Sequence, residues 1–152
     1  MPGVGKSTLA ARYGAAHSAT VVIDIDTLHG ELVANRELTR EDSRRAGLDL
    51  IGTRLRERAD VVVPQLVARA DQLDRFEAVA RDAHADFVHV LVTGRTERGT
   101  SPDYVDGLSH VAASRTVHAV LETTHGDEAA TLVSLEAVLA GLSVAPETDG
   151  PT

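Results

Sequence analysis

Met1-Pro2-Gly3-Val4-Gly5-Lys6-Ser7-Thr8 is the stretch on which the reading of this chain turns. Gly5, Lys6 and Ser7 fill the last three fixed positions of G-x-x-x-x-G-K-[ST]. In that pattern backbone N–H groups wrap phosphates, the lysine reaches the outer two, and the next hydroxyl holds magnesium. Lys6 is the only lysine among 15 lysines and arginines, so an ammonium is singled out at this position. The pattern's first glycine belongs ahead of Met1, and so does the buried strand that normally leads into such a loop. The expectation is a parallel sheet whose first, central strand is missing, from a misplaced start or a trimmed fragment.

Composition narrows the function classes. A length of 152 residues suits one domain, expected over 1–142, with a mobile tail over 143–152 that carries two prolines, acids and no large core residue beyond Val144. The formal charge of -8 and pI near 5.3 argue against gripping nucleic acid, which takes clustered Lys and Arg. A small anionic ligand needs only one local cationic pocket. The absence of cysteine excludes disulfides, thiolate nucleophiles and cysteine metal sites. No apolar run approaches the ~20 residues of a membrane span, and no signal-peptide pattern opens the chain. A soluble, cytoplasmic protein with no membrane partner is expected.

Apolar spacing predicts strands alternating with helices. Helices are expected over Ser7 to Ala16, Thr27 to Arg36, Thr39 to Arg58 with Thr39 as N-cap, Ala70 to His84, Asp103 to Ser114 and Asp127 to Leu142. Strands are expected over Val21 to Ile23, Asp60 to Val63, Phe87 to Val92 and Val117 to Leu121. This alternation implies a three-layer α/β/α sandwich around a parallel sheet.

Asp24 and Asp26 follow the first of these strands. Residues two apart on a strand share a face, so both acids are expected to address one site. Capping of the helix near Thr27 is the plainer alternative. The slot after the second strand holds Pro64-Gln65 and no carboxylate, which leaves the acids after Ile23 as the magnesium candidates. Asp24 would then hold a metal-bound water, and Asp26 would orient or deprotonate an acceptor hydroxyl.

Four segments, Gly-x-Gly-Lys-Ser-Thr, Val-Val-Ile-Asp-Ile-Asp-Thr-Leu, Asp-Val-Val-Val-Pro-Gln and Phe-Val-His-Val-Leu-Val, resemble the small nucleotide-kinase-like P-loop NTPases. That group includes gluconate kinase, chloramphenicol phosphotransferase and zeta-toxin kinases, and many relatives are labelled AAA-family ATPases. The resemblance covers the chain to about Leu142. It implies ATP with magnesium, phosphate contacts from Gly3, Val4, Gly5, Lys6, Ser7 and Thr8, and a catalytic base or substrate anchor at Asp26. It also implies a lid, for which Arg95 and Arg98 are the candidates although the stretch from Thr93 to Asp103 is short. Arg115 and the loop Thr123 to Asp127 fall where relatives contact adenine. Arg69 is a weaker candidate for an acceptor contact, with a surface arginine as the alternative. His89 and His118 interrupt apolar strands and are read as hydrogen-bonded structural histidines.

Three functions follow as expectations. The first is an ATP-dependent small-molecule kinase, with an unidentified acceptor as partner. The second is a nucleotide-binding ATPase without an acceptor. The third is a non-catalytic remnant held by association, whereas the full-length protein would be a monomer.

Overall fold

The computed structural model describes residues 5–33, 39–94, 102–123 and 127–143, with the side chains of 31–33, 102–106 and 143 set aside. The elements run α1 (Lys6–Ala16), β1 (Thr20–Val22), α2 (Ile25–Val33), α3 (Arg40–Arg56), β2 (Asp60–Val62), α4 (Ala70–Asp82), β3 (Val90–Gly94), α5 (Pro102–Ser114), β4 (Ala119–Thr123) and α6 (Glu128–Ser143). The α/β alternation expected from apolar spacing is present, with the last two strands shifted toward their C-terminal ends. The expected tail beyond Ser143 lies outside the described residues.

The strands form two parallel pairs, β1 with β2 and β3 with β4. Val21 stands opposite Val61, and Leu91 opposite Val120. Among the described residues no strand joins the pairs. Parallel ladders use alternate residues for each side. Asp60 and Val62 bond to β1, as the Asp60 N–H to Ala19 O (3.1 Å) and Ile23 N–H to Val62 O (2.9 Å) contacts mark. The peptide groups of Val61 and Val63 therefore turn to the outer edge. The His118 N–H to His89 O bond (2.9 Å) sets the same alternation on β3 and turns Val90 and Val92 outward.

Helices cover both faces of the strands. Val22 points to α1, where the absent Cβ of Gly14 would sit 2.7 Å from its methyl. Val21 and Ile23 point the other way, into a cluster with Ile51 of α3 and Phe76 and Val79 of α4. A second cluster joins Leu9 and Tyr13 of α1, Val90 and Val92 of β3, Leu121 of β4 and Leu135 and Leu139 of α6. These are the three layers predicted from the sequence, but with two separate cores where a domain of this size usually has one.

Helix α3 begins with a reciprocal cap: the Thr39 hydroxyl accepts from the Asp42 N–H, and Asp42 accepts from the Thr39 N–H. Its buried residues are Ser43, Gly47, Ile51 and Gly52: of the expected Leu48, Ile51 and Leu55 stripe, Ile51 is buried and Leu55 packs on the same core, while small residues are buried beside them. The physical reason is close approach. A Cβ on Gly47 would lie 2.9 Å from Cγ1 of Ile25, itself 4% exposed. Ser43, 1% exposed, is accepted there because its hydroxyl bonds Thr39 O (3.3 Å) and contacts His29 Nδ1 (2.8 Å). The two strand histidines are hydrogen-bonded as expected: His118 Nδ1 accepts the His89 N–H, and His89 Nδ1 meets Thr116 O.

Gly47→Ala is expected to destabilise the fold by about 1–3 kcal/mol through overpacking on Ile25. Gly30→Ala, on α2 with open space around the new methyl, is expected to stabilise it by up to about 1 kcal/mol. Urea denaturation of the two variants reads both signs.

Candidate active site

Helix α1 starts at Gly5, whose backbone sits at φ 83°, ψ 10°. That left-handed conformation is costly for other residues, and open space lies where a Cβ would be. Glycine is therefore needed here for its backbone freedom. The Leu9 N–H bonds Gly5 O (2.8 Å) and starts the helix. Among the described residues no side chain caps this end, and no acid lies in the first turn. The first-turn N–H groups and the positive end of the helix dipole are thus presented outward.

Lys6, Ser7, Asp24, Asp26, Thr27, Pro64 and Leu66 line a cavity of about 430 Å³ against this helix end. The Ser7 hydroxyl donates to Asp24 Oδ2 (3.0 Å). The other oxygen, Asp24 Oδ1, accepts from the N–H groups of Asp26 (3.1 Å) and Thr27 (3.2 Å), and the Leu28 N–H bonds Asp24 O (3.0 Å). Asp24 is therefore the N-cap of α2, as the plainer alternative had it, while also holding Ser7.

One expectation is corrected here. Helix α2 begins at Ile25 rather than near Thr27, so Asp26 lies in its first turn and the strand alternation that was to bring the two acids together does not apply. They share the cavity because Asp24 caps the turn that carries Asp26. Burial lowers the Lys6 pKa from its ordinary value of 10.5, with the carboxylates of Asp26 and Asp24 pulling the other way.

The remaining candidates divide. Gly3, Val4, Arg95 and Arg98 lie outside the described residues, as does most of the Thr123 to Asp127 loop. Thr8 is exposed on the first turn of α1. Arg115 precedes β4 and is not among the residues lining the Lys6 cavity. Its guanidinium is engaged with Asp74 of α4, at 2.7 Å through Nε and 2.9 Å through Nη2. Arg69 forms an exposed pair with Asp71, the surface alternative considered for it. Leu66 was not singled out in the sequence, Thr27 entered only as the expected start of a helix, and Pro64 only as part of a slot without a carboxylate. Their signal is positional, since the ends of parallel strands in an open α/β sheet are where ligands bind.

The donor set fits a magnesium ion. That cation favours oxygen ligands, usually one or two carboxylates with water and phosphate, and Ser7, Asp24 and Asp26 supply a hydroxyl and two carboxylates on one cavity.

Layered α/β architecture, a glycine turn into Lys6-Ser7 and acids beyond the neighbouring strand define a P-loop NTPase of the nucleotide-kinase-like group. The chain belongs to the AAA domain family, whose profile matches residues 1–98. No curated protein matches the chain. Among solved structures it is similar to the Mycobacterium tuberculosis APS kinase CysC, as a cysteine-to-alanine mutant, at 19% identity and TM-score 0.59 over 92% of each chain. The same enzyme in complex with AMPPNP and APS matches at 20% identity and TM-score 0.59, over 92% of this chain and 93% of that one. The crystal structure of APE1195 matches at 18% and TM-score 0.55, over 92% and 91%. These likenesses establish the fold.

Asp24→Ala is expected to lower stability by about 0.5–2 kcal/mol, the usual effect of removing an N-cap. Asp26→Ala, at an exposed position, is expected to stay within about 0.5 kcal/mol of the parent. Chemical denaturation without nucleotide tests the division of labour between the two acids.

Proposed function

We propose that this protein is an ATP-dependent phosphotransferase that uses magnesium and acts on a small-molecule acceptor. The observation that carries this reading is the single cavity on which Lys6, Ser7, Asp24 and Asp26 converge at the uncapped end of α1. In support, APS kinase, a neighbour in fold, has been solved with a nucleotide analogue and its small acceptor together.

The chain's own groups divide the work. The first-turn N–H groups from Gly5 to Thr8 bind and orient the phosphates. Lys6 balances charge on the oxygens of the transferring group. Ser7 and Asp24 are the residues to hold magnesium, which when bound neutralises phosphate charge. Asp26, exposed on the first turn of α2, aims the acceptor hydroxyl and takes its proton. Gly3 and Val4 would extend the phosphate cradle, and Arg95 and Arg98 the cover above it, as the family resemblance suggests. Positioning and electrostatics account for the chemistry, as is general for phosphoryl transfer.

Calorimetry with magnesium ATP tests the site. Lys6→Gln should weaken affinity roughly 10- to 150-fold, matching a hydrogen bond to a charged group worth about 1.5–3 kcal/mol. The pH dependence has a definite sign. Bound phosphate favours the ammonium, whereas burial in the free protein lowers its pKa below 10.5. Affinity should be highest below the free protein's Lys6 pKa and fall as pH rises through it, and the Lys6→Gln protein should lack this fall. Equal affinity in both proteins would reject the reading. Radiolabelled ATP then tells transfer from hydrolysis by whether phosphate ends on a metabolite or in water.

A further inference from the structure

A second, smaller cavity lies beside the first. The residues lining the phosphate cavity include Asp24, Asp26, Pro64 and Leu66, and those between them in sequence, Ile25 and Gln65, line a pocket of about 30 Å³ with Arg44, Arg75 and Phe76. Adjacent residues stand about 3.8 Å apart along the chain. An acceptor that reached from Asp26 to this pocket would need to be only a few carbons long.

Two features of the pocket are unexplained by folding alone. Gln65 Oε1 is buried with no hydrogen-bond partner, although buried acceptors are nearly always satisfied. The rim carries two guanidiniums on one carboxylate: Arg75 bonds Glu41 at 2.6 Å and Arg44 stands 3.7 Å from the same side chain. The carboxyl of Glu41 is held below its ordinary pKa, first by its bond to Arg75, and so stays charged. Three charges of this kind leave one positive charge in excess.

We infer that this pocket anchors the phosphoryl acceptor, and that the acceptor is a small hydroxylated molecule with one anionic group. A hydroxyl or amine of the acceptor donates to Gln65 Oε1. Its carboxylate or phosphate takes the excess charge of Arg44 and Arg75. A further hydroxyl is left to face Asp26. The volume admits one such polar group into the pocket, with the rest of the molecule on the phosphate side. This inference rests on the phosphotransferase reading, which supplies the acceptor.

The test uses the whole protein with magnesium ATP and matched probes: hydroxy acids of three to six carbons, the polyols of the same lengths, and glycerol 3-phosphate. ADP release should be stimulated by anionic members and at least about tenfold less by the polyols, the ratio expected of one charge-assisted contact. Stimulation by the acids or by glycerol 3-phosphate distinguishes carboxylate from phosphate as the anion. Gln65→Leu should raise KM for the stimulating acid by about tenfold or more and leave KM for ATP unchanged. Arg75→Gln should narrow the preference for anions. Chemical-shift titration of the Gln65 side-chain amide with glycerate, free of nucleotide, reports the contact directly.

Three results would overturn the inference: polyols as effective as acids, no stimulation by any anion while magnesium ATP binds normally, or an unchanged KM in Gln65→Leu. The last would make the pocket the seat of a buried water only. Loss of magnesium ATP binding in the parent protein would instead strike the phosphotransferase reading. In that case the glycerate titration decides whether Gln65 meets the hydroxyl of a hydroxy acid.

Discussion

Helix α1 packs against both halves of the molecule. Its Leu9 and Tyr13 belong to the core with β3, β4 and α6, and its Gly14 lies on Val22 of β1. The paired strands do not meet among the described residues, so the relation between the halves rests on contacts of this helix and of α5 with its surroundings. The latter contact is close as well: a Cβ on Gly107 would fall 2.6 Å from Ala68 O. The same helix carries Lys6 and Ser7 on its first turn. What fixes the halves to each other therefore also fixes the cationic end of the site against the acids that follow β1.

Asp24 makes the second link in that chain of constraint. One of its oxygens caps α2 and the other holds Ser7 of α1, so a single carboxylate ties the start of both helices. A cap is a short, directional interaction, and it sets where the first turn of α2 lies. Asp26 is positioned by that turn. Behind it, Ile25 is held against Gly47 of α3 at a distance only glycine permits. The exposed acid thus rests on a buried residue that cannot shift without moving α3.

Much of this could be read before the structure. Alternating apolar runs gave the layered α/β order, and Gly5-Lys6-Ser7 gave the helix end. Element edges were less accessible. Asp24-Ile25-Asp26 looked like the end of a strand because its apolar centre alternates with acids, yet the cap formed by Asp24 draws Ile25 and Asp26 into α2. The α3 stripe was incomplete for a related reason: hydrophobicity marks Ile51 and Leu55, which do pack inward, whereas close packing also favours small residues, and Ser43 and Gly47 bury without being apolar. The contact of Arg115 with Asp74, a partner 41 positions away, is one that no local pattern announces. Pro64 and Leu66 carry no chemistry of their own and enter the site through topology alone.

Charge arithmetic at the cavity bears on the whole reading. An acidic chain of formal charge -8 is a poor long-range attractor for a nucleotide, and the local count gives little relief: Lys6 faces Asp24 and Asp26, which leaves one negative charge in excess. On the phosphotransferase reading the protein alone should hold a triphosphate weakly. A divalent cation reverses the local sign, so the nucleotide and its metal are recognised as one body. The burial that lowers the Lys6 pKa works in the same direction, because a desolvated ammonium interacts more strongly with a phosphate that displaces the water around it. On that reading the two acids, repulsive toward phosphate by themselves, would make the site selective for the metal complex.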